Sequence, residues 1–229
     1  MRDETRLSHD EAVIEADQVT VQDGHLRITT DRLPAPVMGT ERPRHFETGY
    51  IDSIGTFSQK YGRWEIRARL PVRQGASKGV WPAFWLRDSA GPGEIDIMEA
   101  IGDPHEREDV HPAGIYSMAV HESTNHEVGT SRIEHKAGDI VSDGDYHTWA
   151  LEWTPDGMRF YLDGQLMWAP AAADNPWFRT AFTDAGVNIR INTQMGHEWM
   201  GYTDPERPEL TKMPAHLDVD YVRVWEYTG

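Results

Sequence analysis

Apolar and polar residues alternate along much of this chain with a period of two, as in a β-strand that has one buried and one solvated face. The clearest case is the run Trp-Glu-Ile-Arg-Ala-Arg-Leu at residues 64–70. Asp-Gly pairs at 23–24, 156–157 and 163–164 interrupt such runs. This dipeptide favours the tight turn of a β-hairpin, so the pattern predicts strands joined by short turns.

Strands are the main predicted element after the first eighteen residues. The predicted strand and hairpin segments are 19–28, 49–57, 61–70, 80–86, 93–101, 115–121, 146–164, 187–194 and 217–225. One short irregular or helical piece is expected at 177–182, and the longest loops, at 33–46 and 199–215, are rich in proline. Residues 1–18 are charged and weakly patterned, and residues 10–16 could form a helical turn or remain disordered.

Three carboxylates lie within six residues in the stretch 93–101, Gly-Glu-Ile-Asp-Ile-Met-Glu-Ala-Ile. Side chains alternate between the two faces of a strand, so Glu94 and Asp96 share one face. Glu99 would point to the opposite face of a regular strand. One extra residue, a β-bulge at 97–98, would return Glu99 to the face of the other two. Bulges occur near active sites, where they re-aim a side chain.

Carboxylates crowded on one face are costly unless they bind a cation or take part in acid–base chemistry. Like charges so close together cannot all ionise freely, so at least one pKa should be raised. Glycoside hydrolysis needs one ionised and one protonated carboxyl, which retaining enzymes hold about 5–5.5 Å apart as nucleophile and acid/base. An exposed acidic strand face would show the same short pattern, so the motif alone leaves both interpretations open.

The residues before this stretch favour the catalytic interpretation. Gly-Val-Trp-Pro-Ala-Phe-Trp-Leu at 79–86 leads through a short turn into Glu94, and the whole run resembles glycoside hydrolase family 16, in its laminarinase-like branch. That family carries Glu-Ile-Asp-x-x-Glu with an optional extra residue before the last Glu, and the extra residue is present here. The resemblance implies that Glu94 is the nucleophile, Asp96 its assistant and Glu99 the general acid/base.

The same resemblance extends from about residue 19 to residue 225 and implies a fold. It implies an all-β protein, a curved antiparallel β-sandwich of the concanavalin-like jelly-roll type with a concave substrate cleft. A chain of 229 residues suits one such domain over 1–229. The family's usual first strand is not recognisable in residues 1–18, which are expected to be truncated or replaced.

Aromatic and amide side chains on two predicted strands are candidate substrate-binding groups. Trp81 and Trp85 share one side of their strand, and sugar-binding clefts favour aromatic faces. Asn192 and Gln194 likewise occupy alternate positions of a strand, from which they would form hydrogen bonds with sugar hydroxyls.

Two further candidates each have two interpretations. The resemblance implies that His121 lies beside the acid/base, with Met-Ala-Val-His at 118–121 in place of the family's Gly-Thr-x-His. A lone histidine is otherwise a hydrogen-bonded structural residue. The loop 195–201 resembles the family's Gly-Gly-x-Trp-x-Gly, in which Trp199 would stack on a sugar ring. The alternative for Trp199 is a loop anchor that packs on its own domain.

The charge and composition exclude several classes of partner. The net charge is −16, from 38 acidic and 22 basic residues, which argues against nucleic acid, anionic membranes and anionic polysaccharides as partners. There is no cysteine, so no disulfide or thiol chemistry is expected. No signal peptide or membrane-length apolar run is visible. Because a polysaccharide is large, we expect an exported, extracellular enzyme whose secretory leader has been removed. We also expect the enzyme to be a monomer.

The sequence thus predicts an endo-acting retaining hydrolase of β-1,3-glucan, of the laminarin type, that needs no cofactor for catalysis. One alternative is the same chemistry on another β-linked polysaccharide (galactan, agarose or mixed-linkage glucan) or with a sugar acceptor in place of water. Another is a non-catalytic sugar-binding module on the same sandwich. The resemblance also implies a structural calcium ion held by Asp220 and the carbonyl of Gly24, since a hard cation prefers oxygen ligands.

Overall fold

The structure is a computed structural model that describes residues 11–38, 42–102, 115–123, 129–137, 142–198 and 201–229. Within these ranges the strands are β1 Ala12–Ile14, β2 Val19–Gln22, β3 His25–Met38, β4 Pro43–Thr48, β5 Tyr50–Asp52, β6 Gly62–Arg69, β7 Val80–Asp88, β8 Glu94–Ala100, β9 Tyr116–His121, β10 Arg132–Ala137, β11 His147–Thr154, β12 Gly157–Leu162, β13 Gln165–Trp168, β14 Val187–Met195 and β15 Ala215–Glu226. The helices are α1 Phe178–Ala181 and two 3₁₀ turns, Ala16–Gln18 and Pro208–Leu210. None of these described helices is long and apolar enough to cross a membrane.

Two sheets form the sandwich. The strand order in the first sheet is β1-β4-β3-β15-β6-β11-β12-β13, with β2 paired to β3, and in the second it is β10-β9-β8-β7-β14-β5. β1 pairs with β4 in parallel, whereas the two sheets are otherwise built from antiparallel ladders such as β7–β8 and β8–β9. The expected all-β, antiparallel jelly-roll sandwich is confirmed.

The core lies between the sheets because each sheet turns its apolar side chains towards the other. In β6 the residues alternate between buried and partly exposed, so Trp64 and Ile66 face inward. From the second sheet, Phe84, Leu86 and Tyr116 belong to the same buried cluster. Full burial of such an apolar side chain stabilises the fold by about 1.5–3 kcal/mol, so this layer fixes how the sheets pack.

β8 contains the predicted β-bulge, which is confirmed. The register of β8 with both of its neighbours shifts between Asp96 and Glu99. Ile97 and Met98 are successive residues that both belong to the buried core, so the alternation of faces pauses for one residue. Glu99 therefore returns to the face that carries Glu94 and Asp96. Burial of two adjacent apolar side chains is the physical reason for the irregularity.

The N-terminal segment differs from the prediction. A helical turn or disorder was expected at 10–16, but Ala12–Ile14 forms β1, and all three of its residues are buried. The strand pairs in parallel with β4, and Arg44 Nη1 donates a hydrogen bond to the Ala12 carbonyl at 2.6 Å. Three consecutive apolar residues gain more from burial on both faces than a solvated turn would provide.

The proline-rich loop expected at 33–46 is largely strand, because β3 continues through Pro34 and Pro36. The β3–β4 register shifts between Arg32 and Val37, so both prolines lie in an irregular part of the ladder. Proline has no N–H to donate to a ladder and is tolerated at such irregularities.

Candidate active site

The three carboxylates of β8 share a cavity of about 390 Å³ on the outer face of the second sheet. The residues that line it are Trp81, Glu94, Asp96, Glu99, His121, Arg132 and His197. They come from β7, β8, β9 and β10 and from the residues after β14. The bulge is what brings Glu99 into this cavity, since a regular strand would turn it towards the core.

A smaller cavity of about 120 Å³ adjoins the first and shares Trp81 and the three carboxylates with it. Its lining also includes Trp85, Asn192 and Gln194, on the paired strands β7 and β14. Trp85 Nε1 donates a hydrogen bond to Asn192 Oδ1 at 2.8 Å, which fixes the indole ring. The predicted substrate-binding residues on these strands therefore lie together.

Trp199 cannot be placed in the same way, because residues 199–200 lie outside the described residues. Its sugar-stacking role stays a prediction. The preceding His197 does reach the cavity, where its ring lies 5.3 Å from the ring of Trp81.

His121 is paired with the central carboxylate. Its Nε2 lies 2.9 Å from Asp96 Oδ2, and each side chain is only 5% exposed. In the β8–β9 ladder His121 stands opposite Glu94. The imidazole therefore contacts the carboxylate row from the neighbouring strand and restrains Asp96.

The surroundings of Glu94 favour its neutral form but contain compensating cations. Burial raises the pKa of Glu94 well above its usual range, and the nearby charge of Asp96 raises it further. Arg87, Arg190 and Arg132 act in the opposite direction. Three cations thus help to keep Glu94 ionisable in a desolvated position.

Glu99 has fewer compensating cations. Burial raises its pKa well above the usual range, and the charges of Asp96, Glu94 and Glu134 act in the same direction. Arg132 is the cation that opposes them. Trp81 Nε1 also donates a hydrogen bond to Glu99 Oε1 at 3.1 Å. Of the two glutamates, Glu99 has the surroundings that better retain a proton.

The strand β10, which the sequence pattern did not reveal, contributes Arg132 to the cavity lining, and Glu134 of the same strand is a partner of Arg132. Arg132 Nη2 donates to Glu134 Oε2 at 3.0 Å, and Ser117 Oγ donates to Glu134 Oε1 at 2.7 Å. Ser117 is the β9 residue opposite Glu99. Arg132 and Glu134 are two positions apart, so period-two alternation was the signal that could have identified them.

A buried arginine supports the aromatic wall. The Arg190 guanidinium carbon lies 4.8 Å from the centre of the Trp85 ring, and Arg190 Nη1 donates to Tyr50 Oη at 3.4 Å. Arg190 Nε also donates to Asn188 at 2.9 Å. The contact with the guanidinium restrains the Trp85 ring, so the ring needs little rearrangement to bind a ligand.

One group of side chains has a spacing compatible with a metal ion. Ligand atoms of Glu94, Asp96 and His121 lie within 4.8 Å of one another. Among the described residues, this is the cluster of His, Asp or Glu side chains that is close enough together to hold a metal ion. Two of its members already contact each other, with His121 Nε2 2.9 Å from Asp96 Oδ2. The group belongs to the carboxylate site.

The predicted calcium ligands lie elsewhere, on the first sheet. Gly24 is in the β2–β3 turn and Asp220 is at an irregular position of β15. Asp220 Oδ2 accepts a hydrogen bond from Arg67 Nη1 at 2.6 Å, and His25 Nε2 lies 3.9 Å from Oδ1. Asp220 thus already has a cationic partner on one of its oxygens, and the calcium site stays a prediction.

The fold and the carboxylate site agree with the family that the sequence resembles. This chain belongs to the glycosyl hydrolases family 16, whose sequence model matches residues 7–217. Among its relatives, a β-glucanase of Rhodothermus marinus is 33% identical over 205 residues, which cover 80% of this chain and 64% of that protein. Glucan endo-1,3-β-glucosidase A1 of Niallia circulans is 30% identical over 227 residues, covering 91% of this chain and 30% of that protein.

A solved structure has the same fold. The X-ray structure of the laminarinase from Rhodothermus marinus superimposes with a TM-score of 0.73 at 28% identity, and the match covers 96% of this chain and 86% of that one. The chain spans less than two thirds of the length of either curated relative.

Proposed function

We propose that this chain is an endo-acting, retaining glycoside hydrolase that cleaves β-1,3-glucan of the laminarin type. The observation that carries the proposal is the bulged strand β8, which gathers Glu94, Asp96 and Glu99 in one cavity beside two tryptophans. The names of the relatives, a β-glucanase and a glucan endo-1,3-β-glucosidase, support β-glucan as the substrate class. Since such a substrate is a large polymer, we also propose that the enzyme acts outside the cell.

In the first step, the ionised Glu94 carboxylate attacks the anomeric carbon and forms a covalent glycosyl ester. Glu99 gives its proton to the glycosidic oxygen as the bond to the leaving sugar breaks. The fragment that carries the glycosidic oxygen leaves with a hydroxyl at its new non-reducing end, and Glu99 is then a carboxylate.

In the second step, Glu99 takes a proton from a water molecule whose oxygen attacks the anomeric carbon. The ester bond to Glu94 breaks, and the β-configured product and the starting protonation states are restored. Asp96, in contact with His121, lies between the two glutamates in the strand, and its charge raises the pKa of both. At Glu94 the three nearby arginines oppose this effect and favour the ionised nucleophile. Both steps use side chains of this chain and need no cofactor.

A panel of polysaccharides tests the substrate, and proton NMR of the first product tests the stereochemistry. We expect oligosaccharides from laminarin, with the β-anomer appearing first and the α-anomer only later by mutarotation. Initial release of the α-anomer would contradict the retaining mechanism.

Cleavage of a galactan or agarose without cleavage of laminarin would assign the same chemistry to another polymer. Longer products from an added acceptor would indicate transglycosylation, and binding without products would indicate a sugar-binding module.

A further inference from the structure

A second cavity, of about 230 Å³, lies on the first sheet and is rich in basic residues, although the chain as a whole carries a net charge of −16. We call it the basic pocket. Its charged or titratable lining residues are Arg27, Arg69, Arg73, Lys212, His216 and Asp218. It therefore combines four permanent cations with one carboxylate among the described residues.

The one carboxylate of the basic pocket organises two of its cations. Asp218 is 3% exposed, and its Oδ1 accepts a hydrogen bond from Arg27 Nε at 2.6 Å. Its Oδ2 accepts from Arg69 Nη2 at 2.6 Å and from Arg27 Nη2 at 3.2 Å. A guanidinium has five N–H groups, so each arginine keeps donors that Asp218 does not use. Both arginine side chains remain about two-fifths exposed, at 41% and 42%.

This arrangement holds the arginines in place before any ligand arrives. Long basic side chains normally lose rotamer freedom on binding, and prior fixation removes much of that cost. Arg69 is further restrained by Tyr146, whose ring centre lies 5.2 Å from its guanidinium carbon. A neighbouring cavity of about 260 Å³, which adds Asp23 and His25, shares Arg27, Arg69 and Asp218 with the basic pocket.

The other two cations, Arg73 and Lys212, lie outside the hydrogen-bonded group of Asp218, Arg27 and Arg69, which we call the clamp. Arg73 and Lys212 are exposed, and the hydrogen bonds that hold their segments use backbone atoms: Arg73 N–H donates to Ser77 Oγ and Lys212 N–H donates to the Ala76 carbonyl. Burial lowers the pKa of His216, and the charges of Arg27 and Arg73 lower it further, while those of Asp218 and Asp31 act in the opposite direction. The four permanent cations of the lining outnumber its one carboxylate, so the pocket carries a net positive charge.

We propose that the basic pocket is a binding site for an oxyanion of the sulfate or phosphate type, either free or carried on a sugar. Arginine donors match the oxygen geometry of such groups, and the lysine adds a point charge. The pocket lies among β3, β6 and β15 of the first sheet, whereas the carboxylate row lies on β8 of the second. The site is thus separate from the cleft and does not depend on the reaction proposed for it.

Calorimetric titration of the whole protein tests this site at neutral pH, with ionic strength held constant by sodium chloride. The titrants are sodium sulfate, sodium phosphate, glucose 6-phosphate and, as the neutral counterpart, glucose. We expect saturable binding of the three anions at one site and none of glucose. Tighter binding of glucose 6-phosphate than of inorganic phosphate would identify a sugar-borne group as the ligand, and the reverse order a free ion.

The variants Arg73→Ala and Lys212→Ala should each weaken the binding several-fold, and together at least tenfold. Because they leave the clamp and the backbone hydrogen bonds in place, circular dichroism and laminarin hydrolysis should be unchanged. Arg223→Ala is the matched control, since it removes one exposed cation from β15 of the same sheet, outside the pocket. An equal loss of affinity in Arg223→Ala, or heats with the anions no larger than those with chloride, would overturn the proposal. Lys212→Glu is a second variant that should abolish binding.

Discussion

At the scale of single residues, Glu94 and Glu99 carry the same functional group in different surroundings. At Glu94, three arginines oppose the rise in pKa and one carboxylate adds to it, whereas at Glu99 one arginine opposes the rise and three carboxylates add to it. Both have raised pKa values because both are partly buried and therefore desolvated. The asymmetry of the charges around them is what supports opposite roles, one ionised and one protonated.

Removal of each glutamate should produce a different failure with an aryl β-glycoside. Glu94→Ala lacks the atom that bonds to the sugar and should lose turnover whatever the leaving group. Glu99→Ala lacks only the proton donor, which a phenolate leaving group scarcely needs, so the covalent intermediate should accumulate. Azide should then rescue Glu99→Ala by attacking that intermediate and give the β-glycosyl azide.

The stereochemistry of the azide product is the control for this assignment. In Glu94→Ala, azide could enter only the space of the missing nucleophile and give the α-azide. A β-azide from Glu94→Ala together with an α-azide from Glu99→Ala would reverse the two roles.

The indole of Trp81 should tune the proton on Glu99. Its N–H donates to Glu99 Oε1, and a donor to a carboxylate stabilises the ionised form. Trp81→Phe removes the donor and keeps an aromatic face, so the pKa of Glu99 should rise further. Because Glu99 must be protonated for the first step, the basic limb of the pH profile of kcat/KM should move to higher pH.

Trp85→Phe is the matched control for that shift. The Trp85 indole donates its hydrogen bond to Asn192 Oδ1, whereas the Trp81 indole donates to Glu99. Loss of the Trp85 indole should therefore raise KM for oligosaccharides and leave the basic limb of the pH profile in place. A basic limb of Trp81→Phe that stays in place or moves to lower pH would contradict the tuning.

At the scale of elements, the bulge of β8 can be tested by deletion. β8 has one residue more than both β7 and β9 between Asp96 and Glu99. Deletion of Met98 should therefore leave both ladders in register and keep Glu99 on the cleft face. The loss of a buried methionine should lower the free energy of unfolding by about 2–5 kcal/mol, while laminarin hydrolysis should remain measurable. Chemical denaturation and an activity assay provide the two readouts.

Deletion of Ile95 is the control, since it lies outside the bulge and would turn Glu94 away from Asp96. This variant should lose all hydrolysis. Equal loss of hydrolysis in both deletions would show that the bulge itself, and not only the shared face, is needed.

The sequence predicted β8 and its bulge because the spacing of carboxylates and buried residues can be counted directly. It did not predict β10, because a strand of sequence Arg-Ile-Glu-His-Lys-Ala at a sheet edge buries little and shows a weak apolar signal. Arg132 and Glu134 were missed for this reason. The Arg67–Asp220 contact was also missed, because a pairing of residues 153 positions apart depends on the sheet order and not on local pattern.

At the scale of the whole molecule, stability should depend on pH through His147. Its Nδ1 lies 2.7 Å from Asp163 Oδ2 and its Nε2 lies 3.1 Å from Asp143 Oδ2. Burial alone would lower its pKa, but the hydrogen bonds to both aspartates raise it overall. The protonated imidazole therefore stabilises the folded state fully below the unfolded pKa, about 6.5, and loses this contribution as pH rises through the folded pKa.

His147→Gln should therefore destabilise the protein more at pH 5.5–6 than at pH 9, in urea denaturation at both values. Asp143→Asn removes one of the two partners and should give an intermediate pH dependence. A loss of stability in His147→Gln that is equal at both pH values would contradict this role.

Strand β8 carries the proposed catalytic carboxylates and also contributes side chains to the core between the two sheets. Glu94, Asp96 and Glu99 line the cleft, while Ile97 and Met98 pack beneath them in the core. A change of packing below this strand is therefore transmitted to the distance between the reacting groups without passing through any loop. Tolerance to substitution in this layer is consequently set by catalysis as well as by folding, and core variants that still fold can be poor catalysts.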